Sequence, residues 1–143
     1  MMGAMLAKPI RTAEEAVKSV RPGDTLLIGG FLGCGTPPTL LRALVAAETG
    51  ELTVVANDTG VYDPASGETK GLAPLILREQ CRAVITSHIG TNRETQRRMR
   101  GGSLEVTLVP QGTLVERIRA AGAGLGGILT PTGVGTEVEE GKE

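Results

Sequence analysis

Two rhythms of apolar residues alternate along this 143-residue chain. One has the three- and four-residue spacing of a helix face; the other is a short unbroken apolar run, as in a strand covered on both sides. Thr12 and Glu15 have the spacing of a capping box, and Ala13, Ala16, Val17 and Val20 share one face before Pro22-Gly23 stops the helix. Residues 24–28 (DTLLI) read as a first strand covered on both faces. A second helix starts near Pro38, with Leu40, Leu41, Leu44 and Val45 inward. Residues 52–56 (LTVVA) form a second strand that runs out at Asn57-Asp58, and 59–71 read as loop. A short helix is expected over 73–79 and a third strand over 82–87, ending at His88 and Gly90. Asn92 caps a polar helix that Gly101-Gly102 ends after Arg100. Residues 104–109 alternate like a less covered strand, and 114–122 (LVERIRAAG) form a helix with Leu114, Val115 and Ile118 inward. Residues 122–136 are glycine-rich and aperiodic. The first seven residues read as a frayed start, and 137–143, with four glutamates, as a mobile or truncated end.

Strand and helix in repeated alternation predict an α/β fold, an open and mostly parallel sheet with alternating helices and right-handed crossovers. In such sheets ligands gather at the carboxyl ends of the strands. That rule selects residues 29–35, Asn57-Asp58, 87–90 and 110–113, all small or polar.

The length predicts one domain over 1–143. Phe31 and Tyr62 are the only aromatics, so the core rests on Leu, Val, Ile and Ala. A net charge of −1 implies neither a nucleic-acid partner nor an anionic membrane surface. Arg93, Arg97, Arg98 and Arg100 lack interleaved aromatics and read as a solvated helix face near a C-terminal end, with an anion-attracting rim as the alternative. Cys34, Cys81 and the single His88 cannot build a metal site without scattered carboxylates. With no secretory apolar segment and no long apolar stretch, the cytoplasm is the simplest address.

The run GGFLGCGTPP, from Gly29 to Pro38, places four glycines in seven positions. No Gly-Lys-Ser/Thr follows, so it is not a phosphate-binding Walker loop. Pro38 stands where a dinucleotide fingerprint beginning at Gly33 needs a small third residue. Cys34 has His88 as its only conceivable imidazole partner, and a small packed thiol is the plainer reading. His88 reads as a hydrogen-bonding residue at a strand end. Gln111, between Pro110 and Gly112, can donate two hydrogen bonds without charge, as an oxyanion requires, or can brace its loop. Asn57 offers the same chemistry at another strand tip. Asp58 is the one carboxylate at a strand end, and the chain shows no persuasive nucleophile.

Five ordered blocks, LLIGGFLGCGTP, VVANDTGVYD, ITSHIGTNRET, VPQGTLVERIR and GGILTPTGVGTEVEEGKE, resemble the A (alpha) subunits of family I CoA-transferases, of the acetate/butyrate–acetoacetate type. The resemblance implies the CoA-transferase fold and ping-pong transfer of CoA from an acyl-CoA to a short-chain carboxylate through a glutamyl-CoA intermediate. It places the attacking glutamate on a B (beta) subunit, within a heterodimer or heterotetramer, and implies CoA as substrate rather than resident cofactor. Gln111 matches the family's active-site glutamine, Asn57 the first residue of an asparagine pair, and Asp58 replaces the second. Gly29, Gly30, Phe31, Gly33 and Gly35 match a loop near the CoA and acyl groups, with its backbone facing thioester or subunit. Asp58, His88, Gly90 and Gly112 are further pocket candidates. Family A subunits continue beyond the EEGKE stretch, so the resemblance implies a fold incomplete at its C-terminal end, with an exposed edge and apolar surface. A non-catalytic CoA-binding or assembly module and a sugar-phosphate isomerase-like protein are the alternatives.

Overall fold

The computed structural model describes residues 9–141, so the expected frayed start, 1–7, and the last two residues lie outside it. Helix α1 (Ala13–Val17) opens on the expected capping box, with Thr12 and Glu15 bonded reciprocally. Strand β1 (Thr25–Leu27) leads through the glycine loop into α2 (Pro38–Ala46), then β2 (Leu52–Asp58). A hairpin of β3 (Val61–Asp63) and β4 (Glu68–Lys70) precedes α3 (Ala73–Leu77), β5 (Cys81–His88) and α4 (Arg93–Arg100). Strand β6 (Glu105–Leu108), α5 (Gln111–Gly122) and a 3-10 turn (Glu137–Glu139) complete the order.

The main sheet runs β1-β2-β5-β6, every neighbour parallel. Its register makes the two faces explicit. Leu26, Val54, Val84 and Val106 stand in one row, and Leu27, Val55, Ile85 and Thr107 in the next. Successive residues of a strand point to opposite faces. The first row meets Val17, Leu41, Leu44, Leu75 and Ile76 from α1, α2 and α3 in the larger core. The second row meets α5, where Val55, Val109 and Leu114 are buried with Ile85 beside them. Full burial of Leu52, Leu75 or Ile76 contributes about 2 kcal/mol each relative to exposure.

Four expectations change. Residues 59–71 are not plain loop: Val61 pairs with Lys70 and Asp63 with Glu68 across a turn that Gly67 closes onto the Asp63 carbonyl. Strand β1 is covered on one face only, because α5 lies over the middle of the sheet and leaves Leu27 at the edge 59% exposed. Leu40, Val115 and Ile118 point outward for want of a covering element. Arg98 is not on a solvated face: it is buried and donates to the carbonyls of Ile76, Cys81 and Ser103. A guanidinium's fork of donors suits three converging carbonyls, which fastens the end of α3, the start of β5 and the turn after α4. Arg93, Arg97 and Arg100 are exposed as expected.

Candidate functional site

The carboxyl ends of the strands form one rim. There a shallow cleft of about 280 Å³ lies between the start of the glycine loop and the first turns of α5. Gly29, Gly30, Asn57 and Gln111 supply its polar surface, and Leu27 and Ile118 part of its apolar wall. Among the described residues no carboxylate, thiol, hydroxyl or imidazole lines it.

Gln111 is the first residue of α5 and is exposed. Pro110 precedes it at the cap position and offers no side-chain acceptor, so the first-turn amides are uncapped. Gly112 follows with open space around its α-carbon. Asn57 points to the α5 face. Its backbone carbonyl accepts from the hydroxyls of Thr86 at 2.9 Å and Ser87 at 2.8 Å, which hold the strand tip. Its side-chain Nδ2 reaches the Ser87 hydroxyl at 3.4 Å, while Oδ1 is buried without a partner. A half-turn of the amide exchanges the two atoms and leaves a donor unpaired instead. Ser87 belongs to the strand-end stretch 87–90 that the sequence selects without assigning it a role; facing the same way as Asn57, it braces that residue.

The glycine loop divides its residues between two tasks. Gly29 and Gly30 face the cleft, and among the described residues their amides have no hydrogen-bond partner. Beyond them the chain folds back. Phe31 and Cys34 exchange both backbone hydrogen bonds at 2.8 Å, with Leu32 (φ 50°) and Gly33 (φ 88°) between them. Positive φ at both central positions makes a tight reversed hairpin turn. The expectation that the loop's missing side chains make room for a ligand or subunit does not hold at Gly33. A Cβ there would lie 3.1 Å from Lys70 Cβ and 3.2 Å from the Gly71 nitrogen, so the chain itself fills the space. Phe31 is exposed, and a Cβ on Gly35 would meet the Gly30 α-carbon at 3.9 Å. Gly33 and Cys34 line a separate groove of about 1000 Å³ between α2, α3 and β4.

Three further candidates stand away from the cleft. Asp58 and His88 are register partners on the face opposite Asn57. Asp58 is buried and accepts from the Leu32 amide at 2.8 Å and the Gly60 amide at 2.7 Å. His88 is exposed, and its ring lies against Gly90, where a Cβ would come 2.8 Å from Cε1. Cys34 is exposed, unlike the packed filler expected, whereas Cys81 is buried and its thiol is pushed up to about 12 by desolvation, with Arg98 pulling the other way. Among the described residues no cluster could hold a metal ion, and no helix is long and apolar enough to cross a membrane.

The model of the coenzyme A transferase family matches residues 10–143. The chain belongs to that family. It is 53% identical over 134 residues to the acetate CoA-transferase subunit alpha of Escherichia coli K12, covering 94% of this chain and 58% of the relative. It is 47% identical over 123 residues to the acetoacetyl-CoA:acetate/butyrate CoA transferase alpha subunit of Clostridium acetobutylicum, covering 86% and 54%. This member of the family thus spans little more than half the length of those relatives. In fold it resembles an acyl-CoA transferase of Escherichia coli O157:H7 solved as a thioester complex with CoA, with a TM-score of 0.75 at 24% identity over 91% of this chain and 26% of that one. Glutaconate coenzyme A-transferase from Acidaminococcus fermentans gives 0.71 at 18% identity, over 88% and 39%. At these identities the two structures show the fold.

Proposed function

We propose that this chain is the alpha part of a short-chain acyl CoA-transferase, acting on acyl-CoA and acetate-, butyrate- or acetoacetate-class acids together with a beta subunit. The observation that carries this reading is the chemistry of the cleft: neutral amide donors over an apolar floor and, among the described residues, no nucleophile. In the reaction, a glutamate carboxylate of the partner attacks the thioester carbonyl, and CoA thiolate leaves to give a mixed anhydride. The thiolate then attacks the glutamyl carbonyl, releases the first acid and forms a glutamyl-CoA thioester. The second carboxylate attacks that thioester and leaves as acyl-CoA by the same two steps reversed. Each step passes through an oxyanion, which Gln111, Asn57 and the amides of Gly29 and Gly30 are suited to hold by uncharged donors. No resident cofactor is needed, and a cytoplasmic hetero-oligomer is the form this reading takes.

The two relatives named alpha subunits support a partner. The isomerase alternative needs a base in the cleft, and Asp58, its one candidate, is committed to two backbone amides on the other face. Exchange of labelled acetate into acyl-CoA tests the proposal. We expect exchange from the complex of this subunit with a beta-type partner and none from this chain alone. Full-rate exchange by the chain freed of any partner would overturn the division of labour.

A further inference from the structure

The last residue of β2 holds a buried carboxylate that has two amide partners and, among the described residues, no cation within ion-pair distance. Asp58 is 5% exposed. Leaving such a charge in the interior is costly unless hydrogen bonds compensate it, so the groups it binds are fixed as firmly as it is. One of them is the amide of Leu32, a branched residue at φ 50° where L-residues are disfavoured. The other is the amide of Gly60. Behind the same turn three glycines meet backbone to backbone. A Cβ on Gly71 would lie 3.1 Å from the Gly33 α-carbon and 3.3 Å from that of Gly60, and one on Gly60 only 2.3 Å from the Lys70 carbonyl. The Thr36 hydroxyl closes the turn from the far side, donating to the Gly33 carbonyl at 2.8 Å.

We infer that Asp58 is the positioning residue of the glycine loop. Its carboxylate holds Leu32 in the left-handed turn and thereby sets where the unpaired amides of Gly29 and Gly30 stand across from Asn57 and Gln111. The strand pleat gives this a simple logic: Asn57 presents its amide to the cleft, and the next residue, turned to the other face, anchors the opposite wall. Two N–H groups converge on the side chain; a carboxylate accepts from both, whereas an asparagine turns its NH₂ toward one of them. The inference rests on the reading of Gly29 and Gly30 as oxyanion donors.

The test uses Asp58→Asn and the double variant Leu32→Gly/Asp58→Asn in the assembled enzyme, with amide hydrogen exchange and steady-state transfer as readouts. In the unmodified protein the Leu32 amide exchanges as slowly as the β2 and β5 amides. In Asp58→Asn it exchanges like an open loop while β2 and β5 stay protected, and kcat falls roughly 10- to 100-fold with KM for the acid nearly unchanged. Because glycine adopts the left-handed turn without the Cβ penalty, Leu32→Gly recovers about tenfold of that loss, a coupling that a mere loss of packing does not produce. Fast exchange at Leu32 in the unmodified protein, an Asp58→Asn enzyme of undiminished kcat, or a double variant no better than the single one overturns the inference. Hydrogen exchange decides the anchor even if the assembly transfers no CoA, so failure of this inference and failure of the functional reading are told apart.

Discussion

Gln111 and Asp58 show how far a residue's neighbours decide its chemistry. Both stand at strand ends, and both carry groups that could serve a reaction. Gln111 begins a helix whose cap residue is a proline, so nothing local consumes its amide. Asp58 spends both oxygens on backbone donors. If the proposed CoA-transferase reading holds, Gln111→Ala in the complex with a beta-type partner lowers kcat about 10²-fold, the usual loss for one oxyanion donor. Gln111→Glu, which brings an acceptor and a negative charge, is expected to do no better. Steady-state kinetics separate this from a binding role, in which KM would rise and kcat stay. The sequence showed that Gln111 and Asn57 are neutral donors at strand ends. It could not show that Asp58 faces away, because that depends on which strand residue begins the pleat's alternation.

At the scale of elements, the β3–β4 hairpin does most to shape the rim. It supplies Gly60 and Gly71 to the back of the glycine loop and joins α4 through the Tyr62 amide, which donates to the Thr91 carbonyl at 2.9 Å. Asn92 connects the same parts. Its Oδ1 caps α4 by accepting from the Glu94 and Thr95 amides at 3.1 Å, and its Nδ2 donates to the Thr59 carbonyl at 2.8 Å. Asn92→Ala therefore removes a cap and leaves a buried carbonyl unpaired, an expected cost of about 2–4 kcal/mol in urea unfolding. Asn92→Asp keeps the cap but turns an acceptor on that carbonyl, and is expected to recover only part of the loss. A midpoint for Asn92→Ala equal to the unmodified chain's would show that the cap is idle. The cap was legible in the sequence. The hairpin was legible only in its turn residues, Asp63, Pro64 and Gly67, because strands of three residues are too short for alternation to register.

Across the whole molecule the two sheet faces differ in cover. Helices α1 to α3 cover one but leave Leu108 at its β6 end exposed, whereas α5 covers only the centre of the other. Leu27 on that face, with Val115 and Ile118 on α5, remains exposed, as do Leu108 on the other edge strand and Leu129 beyond the helix. Apolar surface of this kind, on a sheet whose edge strands β1 and β6 carry no further strand among the described residues, favours association. The chain by itself is expected to bind a hydrophobic dye such as ANS while keeping its far-UV circular dichroism, and to lose most of the dye signal in complex with the proposed beta-type partner. Dye binding at background level in the isolated chain would mean that this face is closed by some rearrangement.

The order of the main-sheet strands and the helices, the caps of α1 and α4 and the rim of strand ends were written in local patterns, because periodicity, capping chemistry and glycine placement act over a few residues. Tertiary structure alone decided that Arg98 is buried, that Leu40 and Ile118 are not, and that Gly33 touches its own chain. It also decided which of the neighbours Asn57 and Asp58 faces α5, since the pleat only sets them on opposite sides. Each of these depends on which distant segment arrives to cover a residue, and no local pattern carries that information.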